Sequence, residues 1–253
     1  MNLILIHPHE PDSAGRVGLV GERAEHICSV LRATPGKSLR IGLLNGPKGT
    51  GTVEEADGEK VVLLCEFEKI IPPRPVIDLL LALPRPKVMK RLWAQLAALG
   101  VGRIILANAE KVERYYFDSH VLEPDFYTAR LIEGLQQAGD TLLPEVRIIR
   151  QLKPFLENEL DTVFPNLGNR LLADPSGTQN FFQTLEKPGG KVPILGKILL
   201  AVGPEGGWTP YELDLFAAHG FQVFDAGSRI LRTDTACIAL LSLFTLLSVA
   251  NEK

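Results

Sequence analysis

The chain has 253 residues, of which 45% are apolar and 23% charged, a balance that excludes a disordered or low-complexity protein. A formal net charge of −3 argues against holding nucleic acid by bulk positive charge, so an RNA partner would have to be met by local basic patches and shape. Three widely spaced cysteines, Cys28, Cys65 and Cys237, read as reduced, buried thiols of a cytoplasmic protein rather than as disulfides or a metal site.

In the first seventy or so residues, short apolar runs (Leu3–Ile6, Ser38–Leu43, Gly51–Val53 and Val61–Phe67) alternate with Gly, Pro and Asp clusters, which predicts short strands. One stretch, Arg23–Leu31, carries Ile27, Val30 and Leu31 at helical spacing. A small β-rich, barrel-like domain over 1–71 fits this pattern. Ile71-Pro72-Pro73-Arg74-Pro75 is stiff and poor in backbone donors, so the boundary is placed there and a second domain over 76–253.

Beyond Pro75 the period changes. Val76–Leu83, Ile104–Ala107, Leu171–Ala173 and Ile198–Val202 are nearly continuous apolar runs, as strands covered on both faces of a parallel sheet require. Between them Val88, Met89, Leu92, Trp93, Leu96 and Leu99 recur at helical spacing, with Gly100 placed to stop the helix. A second helix is predicted over about Asp125–Ala138. Thr209-Pro210-Tyr211-Glu212 has a cap, a first-turn proline and a carboxylate to close a capping box, and Gly220 ends that helix. Ala236–Ala250 is interrupted by Ser242, Thr245 and Ser248 and reads as a buried helix, not a membrane span. The amino terminus lacks the basic start and cleavage site of a signal peptide. Strands alternating with helices predict an α/β domain.

Two segments carry chemistry. Leu199-Leu200-Ala201-Val202-Gly203-Pro204-Glu205-Gly206-Gly207-Trp208-Thr209 is a buried strand, a glycine-rich turn and a helix start, the place where open α/β sheets bind ligands. Its spacing is neither a phosphate-binding P-loop nor a dinucleotide fingerprint, and alone it could be a tight turn. Phe221–Phe224 then leads into Asp225-Ala226-Gly227-Ser228-Arg229-Ile230-Leu231-Arg232-Thr233-Asp234-Thr235-Ala236, which alone could be a solvated helix start. Arg85, Lys87, Lys90 and Arg91 form a basic cluster that suits either phosphate contact or a solvated helix face.

Together, the order and spacing of these two motifs resemble the RsmE family of ribosomal RNA methyltransferases, in the SPOUT class. His26-Ile27-Cys28-Ser29-Val30-Leu31-Arg32 with Pro35-Gly36 resembles that family's amino-terminal PUA-like RNA-binding domain. Leu99-Gly100-Val101, Leu143-Pro144-Glu145-Val146 and Leu172-Ala173-Asp174-Pro175 extend the likeness over most of the chain. The resemblance implies a parallel sheet with a carboxyl-terminal trefoil knot, a rare exception to unknotted topology, behind a PUA-like β-barrel. It implies S-adenosylmethionine as cofactor, no metal, a homodimer with the apolar helix at its interface, and ribosomal RNA or the small ribosomal subunit as partner. The implied reaction is methylation of a uridine at N3 in small-subunit (16S) RNA.

By the same resemblance, the cofactor would be held by Leu172, Ala173, Ala201, Gly203, Pro204, Glu205, Gly206, Gly207, Gly227, Ile230, Leu231, Thr235 and Ala236. Arg232 is expected on the base side as a fixed cation, with Asp234 or Glu205 to accept the proton. His26, Arg32, Arg85, Lys87 and Lys90 are the expected RNA contacts. The chain departs from its relatives at Gln95, Ala98 and Asp140, where Lys, Glu and Arg are common. These departures leave open a paralogue acting on another RNA site, or a non-catalytic RNA-binding member. A general α/β enzyme acting on a nucleotide or acyl substrate is the more distant alternative.

Overall fold

The computed structural model describes residues 2–165, 169–180, 183–184 and 196–250. The chain divides into two compact units, Met1–Arg74 with Ile132–Leu143, and Pro75–Leu131 with Pro144–Lys253. The segment Ile132–Leu143 thus joins the first unit, although it lies far beyond the proline boundary.

In the first unit, among the described residues, β1 (Ile4–Ile6), β2 (Arg16–Val20), β3 (Ser38–Leu43), β4 (Lys48–Ala56) and β5 (Lys60–Phe67) form one sheet in the order β1-β3-β4-β5-β2. Neighbours are antiparallel except β1 and β3. β2 has no counterpart in the apolar runs because Gly18 breaks its pattern; Val17 and Leu19 still alternate into the core. The helical stretch divides into α1 (Glu22–Glu25) and a π turn at His26–Val30, in which Leu31 N–H donates to the His26 carbonyl at 3.1 Å. The wider turn corrects the expected apolar face. Ile27 is buried and Leu31 packs against the core, but Val30 rotates outward and is 65% exposed.

Hydrogen bonds fix Ile132–Leu143 to this sheet. Asn45 N–H donates to the Thr141 carbonyl at 2.8 Å, and Leu143 N–H to Asn45 Oδ1 at 2.9 Å. The Thr141 hydroxyl donates to the Gly46 carbonyl at 2.6 Å. Thr141 is fully buried, and its methyl takes the space where a side chain on Gly42 would lie, 2.4 Å from an ideal Cβ.

The second unit is a parallel sheet of β6 (Ile77–Ala82), β7 (Val101–Ala107), β8 (Glu145–Ile149), β9 (Asn169–Ala173), β10 (Gln179–Asn180), β11 (Ile198–Val202) and β12 (Gln222–Asp225). Their order is β10-β12-β9-β11-β6-β7-β8. β6 and β11 are buried at every position, which is why they are continuous apolar runs. β8 and β10 form the two edges, each with one neighbour; they need no such run and leave no apolar signature.

The helices are α2 (Pro86–Ala98), α3 (Pro124–Ala138), α4 (Leu152–Asn158), α5 (Leu160–Val163), α6 (Pro210–Ala218) and α7 (Thr233–Ala250). α2 buries Met89, Leu92, Trp93, Leu96 and Ala97, and ends before Gly100 at φ 74°. Trp93 Nε1 donates to the Val121 carbonyl at 2.9 Å, satisfying the indole inside the core. α7 starts three residues before the predicted helix and packs on α2 and β11; its side chains beyond Leu247 lie outside the described residues. No described helix is long and apolar enough to cross a membrane. Cys65 and Cys237 are buried, whereas Cys28 is only half-buried because it sits on the π turn, which corrects the expectation for that thiol.

Candidate active site

β9, β11 and β12 are neighbours that run parallel and end at Ala173, Val202 and Asp225. The loops leaving these three ends, with the start of α7, enclose a cavity of about 320 Å³. This is the carboxyl edge of a parallel sheet, where α/β folds leave room for ligands because the loops diverge.

Nine of the residues expected at the cofactor line this cavity: Ala173, Gly203, Pro204, Glu205, Gly207, Gly227, Ile230, Leu231 and Ala236. Leu172 and Ala201 do not. They are buried inside β9 and β11, where the pleat turns them off the face that Ala173 and Val202 present. Gly206 also lies off the wall, and its carbonyl accepts from Lys111 Nζ at 2.7 Å. Thr235 is exposed on the first turn of α7, away from the lining. Asp174, Pro175, Val202, Asp225, Ala226, Ser228, Arg229 and Thr233 line the cavity beyond those expected. They flank the two motifs, and their adjacency was the available signal.

Local hydrogen bonds hold the loops. Gly207 N–H closes a turn on the Pro204 carbonyl at 2.9 Å, and the Thr233 hydroxyl donates to the Gly203 carbonyl at 3.1 Å. The second bond ties α7 to the glycine-rich turn. Asp174 N–H donates to the Phe224 carbonyl at 3.0 Å, and Gly227 N–H to Asp225 Oδ1 at 3.0 Å. The predicted capping box is present. Thr209 N–H and hydroxyl donate to Glu212 Oε2 at 2.8 and 2.9 Å, and Glu212 N–H donates to the Thr209 hydroxyl at 3.3 Å. Glu212 is buried, and its Oε1 accepts from Glu110 N–H at 2.8 Å, which fastens the loop after β7 to α6.

The charged residues are paired across elements. Glu205 lies 4.0 Å from Arg85, and Asp234 lies 3.2 Å from Arg91. Arg232 is exposed beside the cavity rather than in its wall, and its carbonyl accepts from Ala236 N–H at 2.8 Å. Tyr116, buried nearby, has its hydroxyl pushed above its ordinary value by burial and by hydrogen bonding with Tyr115, with Arg85 opposing and Glu205 adding to the shift. Lys87 and Lys90 are exposed on α2. His26 and Arg32 belong to the first unit: His26 is half-buried with Nε2 unpartnered among the described residues, and Arg32 is exposed at φ 48°. No group of three or more His, Cys, Asp or Glu among the described residues could hold a metal.

The departures fall outside the cavity. Gln95 and Ala98 are on the exposed face of α2. Asp140 stabilises the exit of α3, its Oδ1 accepting from Thr141 N–H at 2.6 Å and Leu142 N–H at 3.4 Å.

Comparison with known proteins agrees with this geometry. A family model described as an RNA methyltransferase domain matches residues 72–245. The chain is 31% identical over 94% of its length to a ribosomal RNA small subunit methyltransferase E from Treponema pallidum, of which it covers 88%. It is 27% identical over 94% of its length to a ribosomal RNA small subunit methyltransferase E 1 from Borreliella burgdorferi, of which it covers 95%. Its fold is similar to that of a ribosomal RNA small subunit methyltransferase E from Neisseria gonorrhoeae, solved bound to S-adenosyl methionine, with TM-score 0.74, 22% identity and 98% of each chain covered. With its matched region spanning the sheet and both cavity-forming motifs, the chain belongs to the RNA methyltransferase family.

Proposed function

We propose that the protein is an S-adenosylmethionine-dependent methyltransferase of ribosomal RNA that methylates N3 of a uridine in the small subunit. The observation that carries this reading is the convergence of both family motifs on one cavity at the carboxyl edge of β9, β11 and β12. The wall fits the cofactor's chemistry. Val202, Ile230, Leu231 and Ala236 offer apolar surface to a purine, and the carboxylates of Asp174, Glu205 and Asp225 suit a ligand bearing an amino group and a sulfonium. Bound there, the cofactor supplies an activated methyl group on a good leaving group.

The chain's own residues then have to orient the uridine and dispose of its N3 proton. Arg232, exposed between the lining residues Leu231 and Thr233, is the cation we assign to a base carbonyl that gains negative charge as N3 loses its proton. Glu205 in the wall and Asp234 are the carboxylates assigned to accept that proton, the first 4.0 Å from Arg85 just before α2 and the second 3.2 Å from Arg91 of α2. Backbone groups of Gly203, Gly207 and Gly227 allow close approach where side chains would obstruct.

We also infer a carboxyl-terminal knot, a PUA-like RNA-binding role for the first unit with His26 and Arg32 toward RNA, a homodimer and a cytoplasmic location. The knot is supported by strand order: β12 lies outside β9, while α7, which follows β12, returns to pack on β11 and α2. For the dimer, what supports the reading is the mainly apolar sequence of α7, on which Leu246 is 69% exposed. The test is incubation of small-subunit RNA lacking the modification with the protein and labelled cofactor, followed by reverse transcription. N3 methylation removes the pairing donor of uridine, so a stop at one uridine is expected; label without a stop would exclude N3.

A further inference from the structure

The second unit carries another cavity, about 490 Å³, on the same carboxyl edge of the sheet. Its wall is built from the residues after β7 (Asn108–Glu110, Val112 and Arg114), those after β8 (Arg150–Lys153), and the start of α6 (Thr209, Tyr211 and Glu212). The segment Gly203–Glu212 therefore serves both cavities, its glycine-rich turn lining the first and its helix start the second.

The chemistry of this wall is cationic and aromatic. Arg114 comes to it from the segment after β7, and Arg150 and Lys153 from the segment after β8; Arg114 makes no ion pair among the described residues. Arg150 is held by the Phe117 carbonyl at 3.2 Å and by Asp118 at 3.8 Å, and Lys153 by Glu157 at 3.7 Å; all four ion-paired side chains are substantially exposed. Such surface pairs exchange readily for a phosphate, since each contributes at most about 1 kcal/mol. Of the two acids in the wall, Glu212 has its oxygens occupied by backbone and Thr209 donors, which leaves Glu110. Tyr211 is 60% exposed and hydrogen-bonds Lys153. Asn108 Oδ1 is buried without a partner among the described residues, an acceptor that a ligand donor would satisfy.

We propose that this cleft is a second nucleotide-binding site that takes one phosphodiester and its base from the RNA strand away from the methylated residue. Arg114, Arg150 and Lys153 meet the phosphate, Tyr211 stacks on the base, and Asn108 Oδ1 accepts from a base N–H or a ribose hydroxyl. The proposal rests on RNA being the substrate, and does not depend on which atom is methylated.

The test compares wild type with Arg114→Ala/Lys153→Ala and with Tyr211→Ala in three measurements: S-adenosylmethionine affinity by calorimetry, RNA-fragment affinity by anisotropy across a salt series, and KM against kcat. Each variant should weaken RNA binding and raise its KM by about tenfold, as loss of a stacked base or of two phosphate contacts does. Cofactor affinity should be unchanged, and the double variant should lose about 0.7 of log–log salt slope per phosphate contact. Unchanged RNA affinity and KM in both variants would overturn the proposal. A wild type that binds RNA but transfers no methyl group would count against the proposed reaction and leave this cleft testable by anisotropy. Free uridine monophosphate separates the two sources of the ligand: if it binds tightly, and the variants lose it without losing RNA, the cleft serves a free nucleotide and the proposal fails.

Discussion

Asp234 on the first turn of α7 accepts a hydrogen bond from Arg91 of α2 at 3.2 Å, and so joins the loop bearing Arg232 to a helix 143 residues earlier. Arg91 is 64% exposed, so the pair contributes at most about 1 kcal/mol to stability. Its expected effect is on geometry. Arg91→Ala should leave the melting temperature nearly unchanged while methyl transfer falls by about tenfold or more. A loss of melting temperature in proportion to activity would show a structural role only.

Gly177 lies in the loop between β9 and β10, where an ideal Cβ would be 2.4 Å from the Asp225 backbone nitrogen and from the Phe224 carbonyl carbon. Backbone cannot move aside as a side-chain tip can. Gly177→Ala is therefore expected to cost about 1–3 kcal/mol, and to weaken cofactor binding because Asp225 lines the cavity. Denaturant titration and calorimetry measure the two effects separately; retention of both would contradict the close approach.

Glu212 is 5% exposed, and its carboxylate accepts from Glu110 N–H, Thr209 N–H and the Thr209 hydroxyl. Glu212→Ala leaves those donors unpaired and removes the carboxylate half of the capping box, a combined loss of about 1–3 kcal/mol. The midpoint of urea unfolding should fall with its slope unchanged. An unaltered midpoint would mean that the loop after β7 is held by something else.

Burial pushes the Cys65 thiol from 9.0 up to about 11, and Cys237 is likewise pushed well up, again by burial. The folded state then keeps the Cys65 proton after the unfolded chain has lost it. Stability from this group is full below about pH 9 and declines as pH rises toward about 11. Cys65→Ala should flatten that alkaline decline in chemical denaturation curves. A thiol reagent at about pH 8 should modify only the half-buried Cys28 quickly in the native protein, and fast reaction of all three would contradict the burial.

Much of the second unit was legible because its central strands are buried on both faces: β6 and β11 could only be continuous apolar runs, and α6 had to begin with Thr209 and a carboxylate three residues on. β2, β8 and β10 were not legible. Gly18 interrupts one pattern, and single-sided pairing at the sheet edges removes the need for the others. The Val30 error has a similar origin, since a π turn inserts one residue into a periodicity that assumes an α-helix.

For the candidate site, local sequence determined the two loops, their glycines and their flanking strand and helix, because turns and caps are set by residues close together in the chain. It could not determine that Ala173, Val202 and Asp225 end side by side, or that Arg85 and Arg91 would face Glu205 and Asp234. Nor could it show that Arg114, Arg150, Lys153 and Tyr211 would share a second cleft. Those relationships join segments tens of residues apart or more. They follow from the order β12-β9-β11-β6-β7-β8, which burial of whole strands selects and no short window of sequence records.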